Sequence, residues 1–570
     1  MLKQSSAESV AEGYLELLVS RGVEYFFGNA GTDFAPIVEA LAKRHTLGQP
    51  IPRPITVPHE IPAVAMAHGY AMVTGRPQVV MVHVTVGTAH GLAGIMNAAR
   101  SQVPMLFTAG RTPLTEGRLI GARDLHIHWA QEAFDQAAIA REFVKWDYEL
   151  RMAEQLEVVV DRALAITQSA PAGPVYLTLP REVLAGRLEH FEYSHHPRQG
   201  AARLGAAPAS LVDEAARALA SARHPLFIVK AAGRDPGAVA ALVSLAERLA
   251  VPVVEHFPTY LNFPHDHALH AGYDPHPYLD EADVVVVIES DVPWIPRRKN
   301  PRPEASVIQI GQDPLFARYP IRGFPSDLTL VGSPRLTLDA LRSAVGAIAV
   351  DGTAVESRRA RWTQEHQRLR AGWAAQASGA QNDSPIDMAW VSRCVGALVD
   401  EGTVVVNEYD LQLAQTCFRT PGTFFGSPSA SGLGWGLGAA LGAKLASPDK
   451  TVVCCVGDGA YMFGCPTAAH FVGRAYDLPV LFVVFNNRAW NAVSGSVKSF
   501  APEGWAVKSG TMPLAALDPS PDYELVCQSS GGYGERVEDP RELPAAFRRA
   551  LRAVREERRQ ALLNVICRKP

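Results

Sequence analysis

The stretch TVVCCVGDG, Thr451–Gly459, followed by LPVLFVVFNN, Leu478–Asn487, decides the fold. Each begins as a short apolar run and ends on small polar residues. An apolar run bounded in this way reads as a strand buried in a parallel sheet. Ligands of open α/β sheets bind beyond the carboxyl ends of the strands. Gly457-Asp458-Gly459 and Asn486-Asn487, separated by 26 residues, therefore occupy two such ends. Glycines beside Asp458 let the backbone approach a ligand closely. Asp and Asn oxygens are hard donors suited to Mg²⁺, which often bridges protein to a diphosphate. GDG alone is a weak signal, because many turns look the same. GDG and NN at this spacing, each at a strand end, are much stronger.

Outward from this pair the pattern repeats. VEYFFGN (Val23–Asn29), PQVVMVHVTV (Pro77–Val86), PMLFTAG (Pro104–Gly110) and GPVYLTLP (Gly173–Pro180) read as buried strands. AESVAEGYLELLVSRG, IPAVAMAHGYAMVTG and AHGLAGIMNAARSQ read as helices between them. Such alternation means βαβ units and a parallel sheet covered on both faces. A polar stretch, Glu192–Ser210, reads as a linker. A second α/β block has strands at His224–Ala231, Val251–Phe257, Ala282–Ser290 and Ala305–Gly311. The charged segment Glu356–Pro385 reads as a helix and then a connector. A third block opens near Ile386, with further strands at Thr403–Glu408 and Gln560–Cys567. The expected domains are residues 1–185, 200–350 and 380–570. The first and third echo each other faintly: Arg100 then Pro104-Met-Leu-Phe107, and Arg474 then Pro479-Val-Leu-Phe482.

Bulk composition agrees and excludes several classes. At roughly 100–200 residues per domain, 570 residues suggest about three domains. Lys and Arg total 54 against 58 Asp and Glu, so no basic excess points to nucleic acid or an anionic membrane. The longest uncharged stretch, Thr420–Ala443, holds seven glycines and two prolines and is too weakly apolar for a membrane span. The N-terminal segment reads as an amphipathic helix, with no signal peptide evident. The seven cysteines are odd in number, all lie beyond residue 393 and form no CxxC. That argues for a reducing compartment, and a soluble cytoplasmic protein is expected.

The GDG-x26-NN pattern resembles the cofactor motif of thiamine diphosphate (ThDP) enzymes. The resemblance covers nearly the whole chain and is nearest to benzoylformate decarboxylase and the acetolactate synthase group. It implies an α/β fold of three parallel-sheet domains: a pyrimidine-binding domain, a Rossmann-like central domain and a diphosphate-binding domain. The first and third would share a ThDP-binding fold. It implies ThDP and Mg²⁺ as cofactors, with the metal held by Asp458, Asn487 and the carbonyl of Ala489. Gly457, Gly459 and Asn407 would lie at the diphosphate. Gly432 and Leu433, in SASGLGWGLGAALGA, would support the bent cofactor. Asp410, in Asn407-Glu408-Tyr409-Asp410, departs from the small hydroxyl residues common there, and an acid facing a diphosphate would repel it.

Glu60, in TVPHEIPAVAMAHGYAMVTGRP, matches the family's glutamate. That residue hydrogen-bonds the aminopyrimidine and promotes its imino form, so that the thiazolium C2 proton can leave. The family also implies a homodimer or homotetramer with active sites between subunits. His83 stands where benzoylformate decarboxylase has an active-site His, and Thr32 where it has a Ser. His83 would be an acid or base, or a hydrogen-bonded core histidine. His90, His126 and His128 are alternatives. Trp294 lies where a second catalytic His is expected. Arg111 would hold a substrate carboxylate or form a salt bridge. Val493, with Ser494, Gly495 and Ser496, would face the substrate. These are small where acetolactate synthases carry larger residues. FAD is not expected, since KAAGRDPGA has too few glycines for a dinucleotide loop.

The expected function is C–C bond cleavage, as a decarboxylase or lyase, on a 2-oxo acid or related acyl donor. An acetolactate-synthase-like carboligase is the alternative within the same chemistry. A non-catalytic ThDP-binding homologue is a third reading, opposed by the presence of Glu60, Asp458 and Asn487.

Overall fold

The structure is a computed structural model and describes residues 2–569. Three parallel sheets organise it. The N-terminal sheet has six strands, in chain order Tyr25–Gly28, Arg53–Thr56, Val79–Val82, Met105–Arg111, Asp147–Glu149 and Pro174–Pro180. Across the sheet they run 2-1-3-4-6-5. The C-terminal sheet also has six: Thr403–Glu408, Phe424–Gly426, Thr451–Gly457, Val480–Asn486, Tyr533–Val537 and Ala561–Ile566. Their order is again 2-1-3-4-6-5. The faint echo between Pro104–Phe107 and Pro479–Phe482 is thus one of topology, since both segments open the fourth strand of their sheet. The central sheet has five strands in the order 2-1-3-4-5, a doubly wound arrangement.

The central strands of each sheet are apolar and buried along their length, as in Thr451–Gly457 and Val480–Asn486. Parallel pairing needs a helical crossover, and helices cover both faces. One core cluster crosses the boundary between the N- and C-terminal domains. It joins Val64, Met66 and Phe107 to Leu437, Cys454 and Phe482. At its centre the helix Glu60–Thr74 crosses the helix Trp435–Ala446. A Cβ on Gly69 would lie 2.1 Å from the Ala439 carbonyl oxygen, and one on Gly442 would lie 2.0 Å from that of Met66. Glycine is required here because backbone meets backbone.

Two segments differ from the sequence reading. The run Pro77–Val86 is a strand only over Val79–Val82, because His83 is the N-cap of a helix, Val84–Arg100. The segment read as a linker begins as a strand, Glu192–Ser194, paired antiparallel to Leu2–Gln4. The charged segment forms one long helix, Gly352–Ala380, with Arg358 donating to the carbonyls of Ala222 and Leu249 in the central domain. Among the described residues, no helix is long and apolar enough to cross a membrane.

Candidate active site

The third C-terminal strand delivers Asp458 to the first turn of a short helix, where a carboxylate suits the helix dipole. Asp458 Oδ1 accepts from the Gly459 N–H at 2.8 Å, and Oδ2 from the Arg488 N–H at 2.7 Å. The carboxylate therefore ties one strand end to the next. Burial pushes it up to about 6, against these backbone donors. Asn487 turns its Oδ1 to the Ala489 N–H at 2.9 Å. Asn486 has a structural role instead: its Nδ2 donates to Asn564 Oδ1 at 2.9 Å and to Ser520 Oγ at 2.8 Å.

Leu433, Gly457, Asp458, Gly459, Asn487, Ala489 and Val493 line one cavity of about 490 Å³. This donor set fits a divalent cation bridging to a diphosphate: a buried carboxylate, a carboxamide and a nearby carbonyl, all oxygen. The flanking glycines make room for the chain's own side chains. A Cβ on Gly459 would lie 2.3 Å from the Trp490 ring, and one on Gly457 would lie 2.5 Å from Asp410 Oδ2.

The loop after the first C-terminal strand shapes the rim. Glu408 is buried and accepts from the Gly434 N–H at 2.7 Å and the Gly436 N–H at 2.6 Å. It caps the helix that follows Leu433 and so fixes that leucine's loop; burial raises its carboxyl to about 7. Tyr409 and Asp410 both have φ of +66°, an uncommon conformation for non-glycine residues that turns Asp410 toward Gly457. Burial, and then the charge of Asp458, raise the Asp410 carboxyl to about 7. Asn407 lines the adjoining cavity of about 750 Å³, which shares Tyr409 and Asp410 with the first. Gly432 is held by the N-terminal domain: its N–H donates to Asn97 Oδ1 at 2.9 Å and its carbonyl accepts from Asn97 Nδ2 at 2.8 Å.

In the N-terminal domain, Glu60 opens its helix and is buried. Its Oε1 accepts from Asn29 Nδ2 at 2.9 Å, and its Oε2 lies 3.4 Å from His90 Nδ1. The rings of His59 and His90 stack beside it. His83 Nδ1 lies 2.5 Å from Asp33 Oδ1, and this hydrogen bond raises the imidazole's pKa. Val84, next in the chain, takes φ of +33°, a strained value for a β-branched residue. Thr32 Oγ1 lies 3.3 Å from Nε2 of the buried His128. Asp33 and Asn29 were not singled out in the sequence; their only signal is that they share the FGNAGTDF loop with Thr32.

Two expected substrate residues have other partners. Trp294 is wholly buried in the core of the central domain, with its indole N–H on Asn300 Oδ1 at 3.1 Å and its ring edge-on to Phe324. A side chain closed off in this way lines no substrate pocket. Of the two readings of Arg111, the structure takes the salt bridge. The guanidinium pairs with Glu132 at 2.9 Å and with Glu149, so those donors are already engaged. Val493 is 44% exposed, on the helix Asn491–Phe500 at the mouth of the Asp458 cavity.

Three family profiles match the chain in succession. Residues 8–139 match the thiamine pyrophosphate enzyme N-terminal TPP binding domain, 212–341 the central domain and 407–565 the C-terminal TPP binding domain. The chain is 26% identical over 568 residues to the acetolactate synthase isozyme 3 large subunit of Escherichia coli, covering 96% of this chain and 93% of that one. It is 27% identical over 508 residues to a benzoylformate decarboxylase of Pseudomonas aeruginosa, covering 85% and 87%. In fold it is similar to a thiamine diphosphate-dependent 4-hydroxybenzoylformate decarboxylase of Rhodococcus jostii, with a TM-score of 0.79, 23% identity and 99% of both chains covered.

Proposed function

Because the chain belongs to the thiamine diphosphate-dependent enzymes, we propose that it cleaves a C–C bond beside a carbonyl, as a decarboxylase or lyase acting on a 2-oxo acid or related acyl donor. The observation that carries this reading is the pairing of Asp458 and Asn487 at adjoining strand ends over a cavity of about 490 Å³. Asp458, Asn487 and the Ala489 carbonyl would hold Mg²⁺ and through it the diphosphate. Leu433 would hold the cofactor bent. Thiamine diphosphate, when bound, supplies a thiazolium that accepts the electron pair left when CO₂ or an aldehyde departs. Glu60 moves a proton at the aminopyrimidine, with Asn29 and His90 orienting its carboxylate. His83, paired with Asp33, is poised to give or take a proton at the substrate.

Ligation to a second carbonyl is the other reading, supported by the likeness to the acetolactate synthase over nearly the full length. The small residues from Val493 to Ser496, where acetolactate synthases carry larger ones, count against a straightforward acetolactate synthase. The seven free cysteines suit a reducing, cytoplasmic setting.

The Asp458 cavity is lined wholly by residues 409–493, and Glu60 is not among them. In our reading the Glu60 that completes it comes from a second copy of the chain, giving a homodimer or a pair of homodimers. The test is to incubate the protein with ThDP, Mg²⁺ and a panel of 2-oxo acids and 2-hydroxyacyl compounds, reading products by mass spectrometry. Turnover of none of them would sink the proposed substrate class. Co-expression of Glu60→Gln with Asp458→Ala subunits should return roughly a quarter of wild-type activity, since half of randomly formed dimers are mixed and each then has one intact site. No activity from a verified mixed dimer would place both residues in a single-chain site.

A further inference from the structure

The central domain holds a cluster that the reaction does not use. Glu255 ends the second strand of the central sheet, and the loop after it returns His265 and His270 to its carboxylate. Glu255 Oε2 lies 2.8 Å from His265 Nε2 and 3.2 Å from His270 Nε2. The three side chains are at most 1% exposed. The three ligand atoms lie within 4.8 Å of one another, close enough to converge on one ion, whose tetrahedral ligands at about 2.0–2.2 Å stand roughly 3.3 Å apart.

A second layer of contacts surrounds the three side chains. The Tyr273 hydroxyl donates to the Leu413 carbonyl at 3.3 Å and lies 3.0 Å from His265 Nδ1, and the Phe418 N–H reaches the same nitrogen at 3.4 Å. The other carboxylate oxygen of Glu255 is held by the Asn262 backbone N–H at 2.7 Å and by Asn262 Nδ2 at 3.1 Å. His270 Nδ1 is buried without a partner.

We propose that Glu255, His265 and His270 bind a divalent first-row transition metal of the Zn²⁺ class, separate from the Mg²⁺ of the cofactor. Two imidazoles and one carboxylate suit Zn²⁺ better than Mg²⁺, which prefers oxygen alone. Its role is structural. The loop it closes meets the C-terminal domain, with the His265 N–H on the Phe418 carbonyl at 2.9 Å and Tyr273 on Leu413. Leu413 follows the Asn407–Asp410 rim, so the metal braces that rim from behind.

The experiment is elemental analysis of the full-length protein from zinc-supplemented cells after desalting. About one zinc per chain is expected, surviving Asp458→Ala, whereas His265→Gln and His270→Gln should each fall below about a tenth. Tyr273→Phe, which keeps every ligand, should weaken zinc about tenfold or more in chelator competition. Wild-type protein loaded with Co²⁺ in place of zinc should show the visible bands of a nitrogen and oxygen site, a readout needing no variant. Metal below about a tenth per chain after both zinc growth and Co²⁺ loading would overturn the site and leave the three side chains as a hydrogen-bonded cluster. Undiminished zinc in a folded His265→Gln protein would equally overturn it.

Discussion

In the N-terminal sheet the third strand runs into His83 and the fourth ends on Arg111; in the C-terminal sheet the same two strands run into Asp458 and into Asn486 and Asn487. Strand order, direction and neighbours are alike. What differs is the company each strand end keeps. His83 is taken by Asp33, and Arg111 by Glu132 and Glu149, so charge is met by charge within the domain. Asp458 and Asn487 are met only by backbone N–H groups and face a cavity. A doubly used scaffold therefore offers the same positions twice, and local partners decide which set becomes a cofactor site. The connection after the second strand is likewise used twice: it carries Glu60 in one domain and Leu433 in the other, each just ahead of or opening one of the two crossing helices.

The largest test of this contrast is Asp458→Ala. Wild type should gain about 2.7 kcal/mol of stability when ThDP and Mg²⁺ are present at a hundred times their dissociation constant. The variant should gain nothing, read as an unchanged melting temperature. An equal gain in both would mean that the C-terminal strand ends are not the cofactor end. Next is Glu60→Gln, which should keep the fold but lose about a hundredfold or more in turnover; near-normal rates would remove the N-terminal domain from the chemistry. Third, Gly69→Ala should destabilise by about 1–3 kcal/mol in denaturant unfolding, because its Cβ would meet the Ala439 backbone. Gly200→Ala, with open space around it, should stay within about 0.5 kcal/mol. Equal effects would mean that the helix crossing is looser than its geometry.

The smallest effect concerns the closed pair of the N-terminal sheet. Folding raises the His83 pKa through Asp33. The folded state thus binds the proton more tightly than the unfolded chain, and the pair's contribution is full below about pH 6.5. It is lost as pH rises through the raised folded value. The melting-temperature gap between wild type and Asp33→Asn should therefore be wider at about pH 5.5 than at pH 8.5. A gap that widens with pH would reverse the assignment.

The interior of each sheet was legible because a strand buried on both faces must be apolar throughout, as in TVVCCVG and VLFVVFN. The edges were not. Arg53–Thr56, Asp147–Glu149, Leu328–Val331, Phe424–Gly426 and Tyr533–Val537 all escaped the sequence reading, and all lie at sheet edges. Most of these strands are partly exposed, as the single buried residue of Arg53–Thr56 illustrates, and Phe424–Gly426 is buried but only 3 residues long, so none carries a long apolar signature. At the site, Asp458 and Asn487 were readable because each ends its own strand. The partners of Arg111 lie 21 and 38 residues away, and only folding brings them together. Glu408 was seen as one letter of a loop. Its capping of Gly434 and Gly436, across 26 and 28 residues, left no local trace.

The crossing of the helices Glu60–Thr74 and Trp435–Ala446 has a mechanical meaning. Most helix pairs touch through side chains, which swing between rotamers and absorb small shifts. Here Gly69 and Gly442 remove that cushion, and main chain bears on main chain. Interiors packed so closely have low compressibility and pass strain onward. A tilt at the first turn, where Glu60 sits, is handed undamped to the helix whose start positions Leu433. In the proposed dimer, where one chain would lend those two residues to different cavities, that chain would serve as a stiff strut between them, and neither cavity could change shape without the other feeling the load.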